Sequence, residues 1–92
     1  MDDDIRRQAK EVAEVNALFN ALKHDSDAQV GAIMGPLMGE HPEFREYGDE
    51  IAGVIAPVVE RVNQMDSEEK RERLAELAPE RIEALAAEEE DD

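Results

Sequence analysis

Two histidines, two serines and a large excess of carboxylates are the residues of this 92-residue chain whose types can do chemistry. His24 stands beside Asp25 and Asp27, a donor set for a divalent cation or a solvated turn. His41 precedes Pro42, and neither histidine has the helical spacing with glutamate that a zinc protease needs. Ser26 and Ser67 stand where helix caps belong, with no histidine base in evidence to activate a hydroxyl. The carboxylates lie on polar faces, where no burial raises a pKa for general-acid work. The acidic run at residues 88–92 is open to diffuse cation binding or to a solvated tail. Residue types and spacing give no catalytic set and no metal set. They point to a non-catalytic interaction or accessory domain.

Charge narrows the partners. Ten Lys and Arg against 25 Asp and Glu leave a formal charge of −15. So acidic a surface repels nucleic-acid phosphates in any sequence-independent mode, DNA included, and repels anionic membranes. One reading is a surface adapted to very high salt, where screening shortens to roughly 3 Å at 1 M. The other is an acidic module that docks on a basic partner. The scarcity of lysine (Lys10, Lys23 and Lys70) beside a larger arginine count favours the first. No cysteine is present, which removes disulfides and thiolate chemistry. No apolar run nears the ~20 residues of a membrane span. The start, Met1-Asp2-Asp3-Asp4, is unlike a secretory signal. The expectation is a soluble, cytoplasmic, all-α domain.

The elements follow from apolar spacing. Asp3 or Asp4 is placed to cap a first helix in which Ile5, Val12, Val15, Phe19 and Leu22 recur at helical steps, with Ala9 filling the gap. It should stop near His24-Asp25. Ser26-Asp27-Ala28-Gln29 has capping-box spacing. The next helix, with Val30, Ile33, Met34, Leu37 and Met38 on one stripe, is weakened by Gly31, Gly35 and Pro36. Those glycines are expected at a buried close approach rather than around a phosphate. Pro42 suits the first position of a further helix, and Gly48 divides Phe44 and Tyr47 from the stripe Ile51, Val54, Ile55, Val58, Val59, Val62. Pro57 predicts a bend. Asp66-Ser67-Glu68-Glu69 is a second capping box, and Ala78-Pro79 ends the helix bearing Leu74 and Leu77. One or two last turns carry Ile82 and Leu85. The sum is four to five short helices in an antiparallel bundle over residues 1–87, with 88–92 an acidic linker.

A resemblance reaches further. The stretch Ala17-Leu18-Phe19-Asn20-Ala21-Leu22-Lys23-His24, then Val30-Gly31-Ala32-Ile33-Met34-Gly35, then Gly39-Glu40-His41-Pro42-Glu43-Phe44-Arg45, resembles the segment ahead of the catalytic core in archaeal glutamate–tRNA ligases. Val62-Asn63-Gln64-Met65-Asp66-Ser67-Glu68-Glu69 and Leu74-Ala75-Glu76-Leu77-Ala78-Pro79-Glu80 are similar to that family's next block. The likeness covers about residues 3 to 80, and the acidic composition resembles the family's salt-loving branch. It implies an enzyme that joins glutamate to tRNA(Glu) with ATP and Mg²⁺ through a glutamyl-adenylate. Its nucleotide-binding core, with a His-x-Gly-His-like motif and a lysine-bearing loop, is not in this sequence. The chain is thus expected to be an N-terminal accessory domain with no cofactor of its own, followed by an absent catalytic core.

What such a domain does is left between two readings. Asn20 to Gly35 also resembles the helical tail domain of the tRNA-dependent amidotransferase B subunit, which implies RNA contact. Asn20, Lys23 and His24 are then candidate tRNA contacts, with Arg6, Arg7 and Lys10 on the first helix. The chain departs from the family where Ser26-Asp27 and Pro36 replace cationic positions. Lys23 and His24 are equally suited to the last carbonyls of helix one. The alternative is docking on the ligase's own core or another translation factor, marked by an Ile51, Val54, Val58 and Val62 stripe exposed beyond core needs.

Overall fold

The computed structural model describes residues 2–90, the side chains of 88–90 excepted. Five α-helices and a short 3-10 helix make up the described residues: α1 (Asp3–His24), α2 (Val30–Glu40), the 3-10 helix (Pro42–Tyr47), α3 (Gly48–Gln64), α4 (Ser67–Leu77) and α5 (Pro79–Glu90). The all-α expectation holds, at its upper helix count. No described helix is long and apolar enough to cross a membrane.

Helix α1 is the axis of the bundle and touches α2, α3, α4 and α5. Its buried seam differs from the expected stripe. Ala9, Ala13, Ala17 and Ala21, at strict four-residue steps, are buried with Leu18, while Ile5, Val12, Val15, Phe19 and Leu22 are only partly covered. Small side chains on that face let α3 come close, and the larger ones flank the contact. The close approach expected of glycines is therefore made by alanines. Gly31, Gly35 and Gly39 lie exposed on α2, and an added Cβ would meet nothing within 4 Å.

Against the alanine seam stand Ile51, Ile55, Val59 and Val62 of α3, four of the six residues of its apolar stripe. Ile33 and Leu37 of α2, Phe44 of the 3-10 helix and Leu74 of α4 complete the deepest layer. Each such side chain contributes about 1.5–3 kcal/mol on burial. Val54 and Val58 are half-buried, and among the described residues no large hydrophobic side chain is exposed. Half of the expected docking stripe is thus core, Ile51 and Val62 being wrapped completely by the bundle, and Val54 and Val58 are not exposed beyond core needs.

Helix ends confirm some expectations and correct others. Asp66 caps α4, its Oδ1 accepting from the Glu69 N–H at 2.8 Å. Gly48 does separate two helices, Pro42 opens the 3-10 helix, and Ala78 ends α4 with Pro79 starting α5. The cap of α1 is Asp2 rather than Asp3 or Asp4, and no side-chain bond closes it; Asp3 and Asp4 occupy the first turn, where their charge still suits the helix dipole. Helix α1 stops at Asp25, in the left-handed region at φ 49°, whose N–H reaches back to the Ala21 carbonyl.

The capping box at residues 26–29 does not form. Helix α2 begins one residue after it, with Gln29 at the cap and no side-chain bond. Ala28 is instead clamped from a distance: its N–H donates to Asn63 Oδ1 at 2.8 Å, and Asn63 Nδ2 donates to its carbonyl at 2.9 Å. A side chain on α3 thus satisfies the loop that a local cap was expected to serve. Helix α3 runs on through Pro57, which costs the bond to the Gly53 carbonyl, and Gly53 is exposed. Helix α5 is longer than the one or two turns expected. Its bounds take in residues 88–90 of the expected acidic linker, whose side chains, like residues 91 and 92, lie outside the described residues.

Candidate nucleic-acid interface

Cations are rare in this chain, so their placement is informative. Arg6 and Lys10 lie four residues apart on α1 and share one face. On α3, Gly53, Pro57 and Arg61 stand in the same four-residue step. The two faces meet in a groove of about 390 Å³, floored by half-buried Val54 and Val58. Glycine and proline keep the α3 wall low, because neither projects a long side chain into it.

The one carboxylate in this groove, Glu14, is already engaged. Its Oε2 accepts from Arg73 Nε at 2.7 Å and its Oε1 from Nη2 at 3.4 Å, joining α1 to α4 across 59 residues. This hydrogen bond and the attached charge, joined more weakly by Glu76 at 3.4 Å, hold the Arg73 guanidinium above the usual arginine range. Among the described residues no carboxylate pairs with Arg6, Lys10 or Arg61. A molecule of charge −15 thus carries a local concentration of positive charge between α1 and α3.

Of the six expected contact residues, the groove brings together only Arg6 and Lys10. Arg7 is exposed elsewhere on α1, Asn20 is half-buried, and His24 is exposed at the end of the helix. Lys23 belongs to a different cluster, its Nζ 5.7 Å from the centre of the Phe19 ring, which the Arg81 guanidinium also approaches at 5.2 Å. Arg61 and Arg81 were not among the expected residues. Arg61 joins Arg6 and Lys10 only through the packing of α3 on α1. Arg81 reaches Phe19 from 62 positions away, and nothing local announces it.

A second cleft, of about 330 Å³, opens where α1, the end of α2 and the α4–α5 junction meet. Asn16 lines it while only 8% exposed, and its buried Nδ2 has no hydrogen-bond partner. A buried donor left unmade costs about 1–3 kcal/mol. His41 borders the same cleft, with its ring 5.1 Å from Phe44 and its Nδ1 3.4 Å from Glu43. Among the described residues no three His, Asp or Glu side chains are grouped to hold a metal ion, so His24, Asp25 and Asp27 form no such cluster.

Comparison with known sequences sets this acidic helical bundle beside one segment of aminoacyl-tRNA ligases. From end to end the chain matches a segment of the archaeal glutamate–tRNA ligases, and by sequence it belongs with that segment. It is 77% identical over 90 residues to the glutamate–tRNA ligase of Haloarcula marismortui, covering 98% of this chain and 16% of that protein. To the ligase of Natronomonas pharaonis it is 67% identical over 92 residues, covering all of this chain and 16% of the other. To that of Methanospirillum hungatei it is 39% identical over 83 residues, covering 90% and 14%. The chain thus spans about a sixth of the relatives it matches. No family model matches it, and no solved structure matches it.

Proposed function

We propose that this chain is a tRNA-contacting accessory domain of a glutamate–tRNA ligase, and that the groove between α1 and α3 holds the RNA backbone. The observation that carries the reading is the convergence of Arg6, Lys10 and Arg61 over Val54 and Val58, with Glu14, the carboxylate that lines the groove among the described residues, engaged by Arg73. Guanidinium groups suit phosphate because their fork of N–H donors gives direction as well as charge. That matters in concentrated salt, where the counterion-release gain of each purely ionic contact is largely cancelled. In this reading the ligase's core, rather than these helices, handles ATP and Mg²⁺ and forms the aminoacyl bond to tRNA(Glu) in the cytoplasm. The core is also this domain's standing partner.

The test is filter binding of tRNA(Glu) to the 92-residue chain and to its Arg6→Gln, Lys10→Gln, Arg61→Gln variant. All three residues are exposed, so the fold should survive the change. The expected outcome is retention of tRNA by the parent chain and about tenfold weaker retention by the variant, a loss near 1.4 kcal/mol. Equal affinities would remove the groove from the account.

A second reading, docking on the catalytic core or on another translation factor, is favoured by α2. From Val30 through Gly39 that helix carries no charge in a chain that is 38% charged, and Gly31, Ala32, Gly35, Pro36 and Gly39 are exposed along it. Substituting Ala32→Glu should weaken association with the ligase core while leaving tRNA retention as it was. The reverse outcome would discard this second reading.

A further inference from the structure

On the reading that the groove between α1 and α3 is an RNA site, we infer that it grips the backbone of a double-helical RNA stem without reading its sequence. The domain then adds affinity for tRNA in general and leaves the choice of tRNA(Glu) to the rest of the ligase. Cations stand on both walls of the groove, Arg6 and Lys10 on α1 and Arg61 on α3. Four helical positions separate Arg6 from Lys10, a rise of about 6 Å, which suits neighbouring phosphates of one strand. The α3 wall is low at Gly53, where nothing lies within 4 Å of the missing side chain, so a broad, rigid partner can settle between the helices.

The lining decides the class of RNA. Sites for single strands stack bases on aromatic rings, and among the described residues no aromatic side chain lines this groove. The three rings of the chain lie elsewhere: Phe44 is fully buried, Tyr47 stands beside the start of α3, and Phe19 is approached by Lys23 and Arg81. Base edges are read by side-chain amides, hydroxyls and free carboxylates. Among the described residues the groove has no amide or hydroxyl side chain, and Glu14 is bonded to Arg73. Arginine and lysine read guanine in a wide major groove. In an RNA duplex that groove is too deep and narrow for side chains, so the cations meet phosphate instead. Half-buried Val54 and Val58 on the floor offer no side-chain hydrogen bond to a base.

Filter binding to the 92-residue chain in one buffer tests this with four RNAs: tRNA(Glu), a tRNA of another specificity, a blunt RNA duplex of unrelated sequence, and oligouridylate. The first three are expected to bind within about threefold of one another, and oligouridylate about tenfold more weakly. Repeating the titration over a range of KCl gives a second readout. Lys10→Gln should flatten the slope of log affinity against log KCl on the duplex by about 1. Arg6→Gln, Lys10→Gln and Arg61→Gln together should flatten it by about 2–3, because three phosphate contacts are gone. A merely structural role for these exposed side chains would leave the slope unmoved. A tenfold or greater preference for tRNA(Glu) over the other tRNA, or oligouridylate held as tightly as the duplex, would overturn the inference while leaving the groove an RNA site. Retention of none of the four RNAs would remove the underlying reading, and the inference with it.

Discussion

Asn63 shows how much of this fold depends on a single side chain that no periodicity announces. Asn63 spends both ends of its amide on the Ala28 backbone, at 2.8 and 2.9 Å, and so fixes the loop between α1 and α2. Asn63→Ala removes both bonds and leaves two backbone groups of a buried residue unmet. A loss of about 2 kcal/mol in denaturant-measured stability is expected. Asp25 holds a positive φ of 49°, a region costly to a side chain and open to glycine. Asp25→Gly should therefore raise the melting temperature, by an amount equivalent to about 0.5–1 kcal/mol. By contrast the Arg73–Glu14 bridge has its guanidinium side 43% exposed. Surface ion pairs of this kind contribute at most ~1 kcal/mol, so its importance lies in removing an acid from the groove.

At the scale of elements, helix identity was legible and helix faces were less so. The stop at Asp25, the Asp66 cap, the break at Gly48 and the Ala78-Pro79 junction were all readable, since each depends on residues adjacent in sequence. The failures share one cause, which is distance along the chain. The cap expected at residues 26–29 lost to a side chain 35 positions away. The large residues of α1 were expected inside because periodicity shows that a helix has an apolar face, and it does not say which part of that face a partner covers. Alanine at four-residue steps was the overlooked signal. The groove was half readable: Arg6 and Lys10 were named, whereas Arg61 joins them only once α3 packs on α1. Gly53 gives a check at this scale. It stands exposed inside α3 with open space around its missing side chain, so Gly53→Ala should stabilise the helix by about 0.5–1 kcal/mol. Thermal melts would register the gain.

At the scale of the whole molecule the governing quantity is the charge of −15 on a chain of 92 residues. Self-repulsion of that size opposes compaction at low ionic strength. Raising KCl shortens the range of repulsion from roughly 10 Å at 0.1 M to 3 Å at 1 M. Helicity followed by circular dichroism should accordingly climb steeply between dilute buffer and molar KCl. A signal independent of salt would contradict the reading of this surface as salt-adapted. The same repulsion bears on the proposed RNA contact, because the phosphate backbone can approach only where positive charge is locally in excess. Between α1 and α3 that condition is met. Mapping the amide resonances that shift when tRNA(Glu) is added to the labelled chain tests this most directly. The account predicts a footprint running along Arg6, Lys10, Gly53 and Arg61. A footprint confined to the Lys23–His24 end of α1, or no shift at all, would contradict it.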